Sequence, residues 1–199
     1  MRIRFGRDRA RAPGEDVRAD EFRHIVERAR AGDEAAVTTL YRLLQPRLVR
    51  YLGVLVPSEA DRVAAETWID VVGCLDRFDG DEHALYALAF GSARRRTEGL
   101  RQTDVAADPS VDPRPVVGAD AARRVDDDGM AGYGVRSALA AIGRLPPDQA
   151  EVVLLRVLGE LSIEEVAALL DQPPSTVGAL QRQALLTLDW VASAAEVAS

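Results

Sequence analysis

The chain has 199 residues, 47% of them hydrophobic and 29% charged, with a formal net charge of −7. That balance describes a globular chain with one or two cores; no apolar run approaches the roughly 18 residues that a bilayer crossing needs, so no membrane insertion is expected. One cysteine (Cys74) and two histidines (His24 and His83) cannot build a disulfide or a zinc site between them, so no metal or other cofactor is expected, and a reducing cytoplasm is the simplest setting.

All 25 basic residues are Arg, which reads as coding bias of a GC-rich genome. The acidity is uneven: residues 1–101 carry 18 Arg against 17 acids, and residues 102–199 carry 7 against 15. Residues 1–16 form a basic arm without periodicity and, having no hydrophobic segment behind them, do not read as a secretory signal.

Helical spacing then begins. Phe22, Ile25, Val26 and Ala29 share one face of a helix over residues 19–31, closed by Gly32. Asp33 caps a longer helix through Val37, Leu40, Leu44, Leu48, Tyr51 and Leu55, which stops before Pro57. A third helix, EADRVAAETWIDVVGCLDRF, buries Val63, Ala64, Thr67, Trp68, Val71, Val72 and Leu75 and turns Glu59, Asp61, Arg62, Glu66, Asp70 and Asp76 outward. Asp79, Gly80, Asp81 and Glu82 make a loop by composition. A fourth helix over residues 83–101 finishes on Arg94, Arg95, Arg96 and Arg101. Such a cluster can offset the negative end of a helix dipole or reach several phosphates at once. Residues 102–133 hold prolines, seven Asp and three Arg without an apolar face, the composition of an acidic linker.

A short helix over 135–142 leads into three more. Pro146 and Pro147 open the first, with Val152, Val153, Leu155 and Leu158 as its apolar face, and Gly159 ends it. Ser162 and Glu165 form a capping box for the second, backed by Val166, Ala167, Leu169 and Leu170. Pro173 and Pro174 stop that helix; Val177, Leu180, Ala184, Leu185 and Leu188 then recur at helical spacing, with Thr176, Gly178, Ala179, Gln181, Arg182 and Gln183 facing out. Two short helices joined by so few residues make a helix-turn-helix. By spacing alone this is either a DNA reader or a small bundle with a solvated polar face. The fold class is therefore all-α: two helical domains, residues 17–101 and 134–199, joined by the linker.

The wording of these segments adds to their spacing. LPPDQAEVVLLRV, LSIEEVAALL and PSTVGALQRQAL closely resemble region 4 of bacterial sigma-70 family factors of the extracytoplasmic-function (ECF) type, over about forty consecutive residues. DRVAAETWIDVV, FDGDE and ARRR resemble region 2 of the same family. The resemblance implies a non-enzymatic, nucleoid-associated monomer that binds core RNA polymerase and promoter DNA and is held by an anti-sigma factor. It assigns Asp61, Arg62, Glu66, Trp68 and Asp70 to core polymerase; Asp79, Gly80, Asp81, Glu82, Arg94, Arg95, Arg96 and Arg101 to the minus-10 element; and Ser175, Thr176, Gly178, Ala179, Gln181 and Arg182 to the minus-35 element. Two departures fall on DNA contacts. Gly178, Gln183, Leu186 and Thr187 stand where the family carries basic side chains, and Leu88 stands where it commonly has Trp, with Tyr86 and Phe90 nearby. The rival readings are a polymerase-binding regulator with weakened promoter recognition and a dimeric helix-turn-helix repressor.

Overall fold

The computed structural model describes residues 15–107 and 129–197. Among them the regular structure is helical, in eight α-helices and one short 3-10 turn, with no strand. The basic arm expected over residues 1–16 and the centre of the expected linker, residues 108–128, lie outside the described residues apart from positions 15 and 16.

Helices α1 (Glu15–Arg30), α2 (Glu34–Leu55), α3 (Ala60–Cys74) and α4 (Glu82–Ala107) form the N-terminal half. Asp33 caps α2 as expected, its carboxylate accepting the Ala35 amide at 2.9 Å. Leu40, Leu44, Leu48 and Tyr51 recur on the face of α2 that packs against α1, α3 and α4, and all four are fully buried. Phe22 and Val26 of α1, Val63 and Val71 of α3, and Leu85, Ala89 and Phe90 of α4 complete that core.

Helices α5 (Gly129–Ile142), α6 (Pro147–Val157), α7 (Ile163–Leu170) and α8 (Pro174–Val197) form the C-terminal half, α6 and α7 both packing on α8. The capping box of α7 is present in both directions: the Glu165 amide donates to Ser162 Oγ at 3.2 Å and the Ser162 amide to Glu165 Oε2 at 2.7 Å. Asp171 ends α7 in the left-handed region at φ 52°, and Pro174 opens α8 where its missing N–H costs nothing.

Several expectations need adjusting. The third helix was expected to reach Phe78; α3 stops at Cys74 and tightens into the 3-10 turn Leu75–Arg77, because Arg30 of α1 takes the carbonyl oxygens of Leu75 and Phe78. α4 runs on to Ala107 and α5 begins at Gly129, so helix occupies both ends of the segment read as linker. Gly159 was expected to end α6; the last residue of α6 is Val157, and the left-handed residue in the turn that follows is Glu160, at φ 55°. Gly159 is needed for space: a Cβ there would stand 2.7 Å from the Leu155 carbonyl oxygen. Val72 and Leu185, expected on buried faces, are 42% and 52% exposed. Gly178, expected to face out, is buried.

The apolar residues of the two halves belong to one continuous buried cluster, and α2 packs on α5 and α6.

Candidate nucleic-acid and polymerase interfaces

The residues assigned to core polymerase and those assigned to minus-10 DNA lie on adjacent helices and share one charge network. On α3, Arg62 donates to Glu59 at 2.7 Å and to Glu66 at 2.7 Å. From α4, Arg96 reaches the other oxygen of Glu66 at 2.6 Å and grips both oxygens of Asp70, at 2.8 and 2.9 Å. Ser92 donates a further hydrogen bond to Asp70. The Arg96 guanidinium holds the Asp70 carboxyl below its ordinary value, against burial and with help from Ser92. Arg96, in turn, is held in its charged form chiefly by Asp70.

Beside this network the surface is apolar. The Trp68 ring meets Tyr41 edge-on, centroids 5.3 Å apart, and Ile69 next to it is 68% exposed. Asp61 is exposed at the start of α3, and Trp68 is half-buried.

The loop before α4 is built rather than loose. Asp81 accepts the Ala84 amide at 3.0 Å and begins α4. Gly80 sits so tightly between Phe78 and Ala84 that a Cβ would come within 2.6 Å of the Ala84 methyl. Glu82 accepts the Tyr86 hydroxyl at 2.6 Å. Burial first and then the Glu82 carboxylate push the Tyr86 phenol well above its ordinary value, so it remains a donor. Asp79 is the exposed member of the four.

The three consecutive arginines have different surroundings. Arg95 is exposed, Arg96 is committed to Glu66 and Asp70, and Arg94 lies 3.3 Å from Glu151 of α6 in an ion pair without hydrogen-bond alignment. The backbone of Arg101 continues α4.

In the helix-turn-helix of α7 and α8, Ser175 and Arg182 are exposed, Thr176, Ala179 and Gln181 are half-buried, and Gly178 is buried, with the Arg182 guanidinium of its own helix 3.5 Å from where a Cβ would stand. Leu186, a turn beyond Arg182, is 72% exposed, so the outward face of α8 mixes one cation with apolar surface.

Sequence reasoning missed the side chains that join the halves. Arg47 of α2 donates to Glu160 at 2.7 Å and to the Leu158 carbonyl at 3.0 Å. The Tyr51 hydroxyl donates to Glu151 at 3.2 Å, and His83 stands 2.8 Å from Glu165. Burial pushes Glu165 up, but the Ser162 amide, His83 and the Ser162 hydroxyl outweigh it and leave its carboxyl below the ordinary value. One signal was available. Residues 83–93 and 150–155 carry a single carboxylate between them, Glu151, and a helix segment apolar all round must be covered on both sides. Among the described residues, no cluster of His, Cys, Asp and Glu could hold a metal ion, and no helix is long and apolar enough to cross a membrane.

Residues 136–188, from the second half of α5 to Leu188 of α8, match the family model for sigma-70, region 4. Among solved structures the chain is similar to CnrH, determined in complex with the cytosolic domain of CnrY: 16% identity, TM-score 0.51, over 87% of this chain and 97% of that one. No curated protein matches the chain. The resemblance to region 4 read from the sequence is thus matched by the family model over residues 136–188, in an all-helical chain that shares the fold of CnrH.

Proposed function

We propose that this chain is an ECF-type sigma factor: it binds core RNA polymerase, directs it to a small set of promoters, and performs no chemistry itself. The observation that carries this reading is a capped helix-turn-helix inside a segment matching sigma-70 region 4. In the proposed arrangement residues 17–101 form the polymerase-binding and minus-10 domain, 102–133 an acidic linker, and 134–199 the minus-35 domain. Asp61, Arg62, Glu66, Trp68 and Asp70 meet the polymerase. Arg94, Arg95 and Arg101, with the loop Asp79 to Glu82, meet minus-10 DNA, while Ser175, Thr176, Gln181 and Arg182 read the minus-35 duplex beside Gly178 and Ala179. Arg96 contributes by bracing Glu66 and Asp70. Because CnrH was solved with a cytosolic domain of CnrY, we extend the proposal to an anti-sigma partner and a cytoplasmic, nucleoid-associated site of action.

One observation favours the second reading, a polymerase-binding regulator with weak promoter contact. Residues 134–199 carry 4 Arg against 8 acids, and Arg182 is the one formal cation on the exposed part of α8 before Leu186. Each phosphate neutralised adds about 0.9 to the salt slope of binding, so a domain this acidic forgoes much unspecific affinity.

Co-elution of the purified chain with core polymerase tests the reading. Stable association, reduced at least tenfold by Trp68→Ala with Ile69→Ser, is expected; failure of the wild-type chain to associate would remove the sigma-factor proposal. Association without salt-dependent binding to promoter duplexes would favour the second reading.

A further inference from the structure

The loop between the 3-10 turn and α4 is held at both ends, and one of its carboxylates is left over. At the first end Arg30 of α1 donates from Nε to the Leu75 carbonyl oxygen at 2.7 Å and from Nη2 to the Phe78 carbonyl oxygen. The Phe78 ring in turn crowds Gly80: a Cβ there would stand 3.0 Å from the ring and 2.6 Å from the Ala84 methyl. At the second end Asp81 accepts the Ala84 amide at 3.0 Å and Glu82 accepts the Tyr86 hydroxyl at 2.6 Å. Both of these carboxylates are taken up in folding the loop. Asp79, between Phe78 and Gly80, is exposed, and no hydrogen bond or ion pair among the described residues holds its side chain.

We infer that Arg30 is a positioning residue for promoter reading: by fixing Phe78, and through it Gly80, it sets the pose in which Asp79 meets one base of the minus-10 element. The inference rests on the reading of the loop Asp79 to Glu82 as a minus-10 contact and deepens it, naming the side chain that reads, the base chemistry that suits it and the residue that aims it. A carboxylate only accepts hydrogen bonds, so it favours a base that presents an exocyclic amino group: cytosine, adenine or guanine. Thymine, with a carbonyl oxygen on each side of its one N–H, suits it least. Aim decides the outcome because a hydrogen bond weakens steeply when its angle is lost; a displaced loop would keep its charge and lose its preference. Gripping two carbonyl oxygens at once suits the forked guanidinium of Arg30, whereas the ammonium of a Lys is a single point charge.

The test is transcription by core polymerase with the full chain on promoters it selects from the source genome, their minus-10 regions randomised and the transcripts read position by position. Wild type should under-represent thymine about fivefold at one position, the lower end of what one base contact provides. Asp79→Asn, which can also donate, should admit thymine there. Arg30→Ala should flatten the preference at that same position and leave the others intact, and Arg30→Lys should restore part of it. Gly80→Ala, which presses on Phe78 and Ala84, should flatten it by an independent route. Arg23→Ala, which breaks an exposed ion pair on α1, should leave the profile unchanged. Circular dichroism establishes that each variant keeps its helices. A merely structural brace would lower transcript yield evenly; that result for Arg30→Ala, with thymine still excluded, overturns the inference. So does a wild-type profile that tolerates thymine at every position, or an Asp79→Asn profile identical to wild type. If the wild-type chain yields no transcript from any promoter, the sigma-factor reading itself falls, and this inference with it.

Discussion

Replacing Arg96 with Ala separates a structural brace from a DNA contact. The change removes three charge-assisted hydrogen bonds, two to Asp70 and one to Glu66. Each side chain in the network is about one-third exposed, at 32% for Arg96, 34% for Glu66 and 37% for Asp70, so solvent screens the pairs. Exposed pairs contribute about 0.2–1 kcal/mol each, and bidentate geometry within a network belongs at the upper end. The expected loss is therefore about 1–2 kcal/mol, which for a chain of this size lowers Tm by roughly 2–8 °C. Thermal unfolding of Arg96→Ala, Asp70→Ala and the double variant, at low and high salt, measures it. The double variant should lose less than the sum of the singles, and high salt should shrink the coupling. Arg95→Ala, which breaks no described pair, should leave Tm within about 1 °C, the range of ordinary surface changes. Unchanged Tm for Arg96→Ala together with a loss of DNA binding equal to that of Arg95→Ala would refute the brace.

Four other outcomes follow from the same contacts. Ser162→Ala removes the hydroxyl that accepts the Glu165 amide and should cost about 1 kcal/mol in urea unfolding. Gly178→Ala should stabilise the chain by up to about 1 kcal/mol, since the added methyl meets little beyond the Arg182 guanidinium at 3.5 Å. Gly159→Ala should do the opposite and lower Tm by several degrees, because its methyl would press on the Leu155 carbonyl. Asp70 gives a pH signature. Its folded value lies below the ordinary 3.8, so its contribution is present above that pH and is lost as pH falls through the folded value. The stability gap between wild type and Asp70→Asn should hold from neutral pH down to about 4 and close below it.

Much of the fold was legible because helix signals are local. The Ser162–Glu165 box, the Asp33 cap and the Leu40, Leu44, Leu48 and Tyr51 repeat each lie within a few turns of one helix, and each appears in the structure. Side-chain commitments across sequence were not legible. Arg96 lies 26 residues from Asp70 and Glu160 lies 113 from Arg47, and nothing in either local pattern names its partner. Burial was misjudged where a helix carries more apolar surface than its neighbour covers, as at Val72 and Leu185. Gly159 shows the same limit in the backbone: composition marks a break, but only the packed turn tells crowding from left-handed freedom.

The most direct test of the sigma-factor proposal is run-off transcription by purified core polymerase on fragments of the source genome, with and without this chain. Defined transcripts that require the chain and are lost with Arg94→Ala, Arg95→Ala and Arg101→Ala together are the predicted result. Core polymerase whose products are the same in its presence and absence, under conditions where the folded chain is in excess, would contradict it.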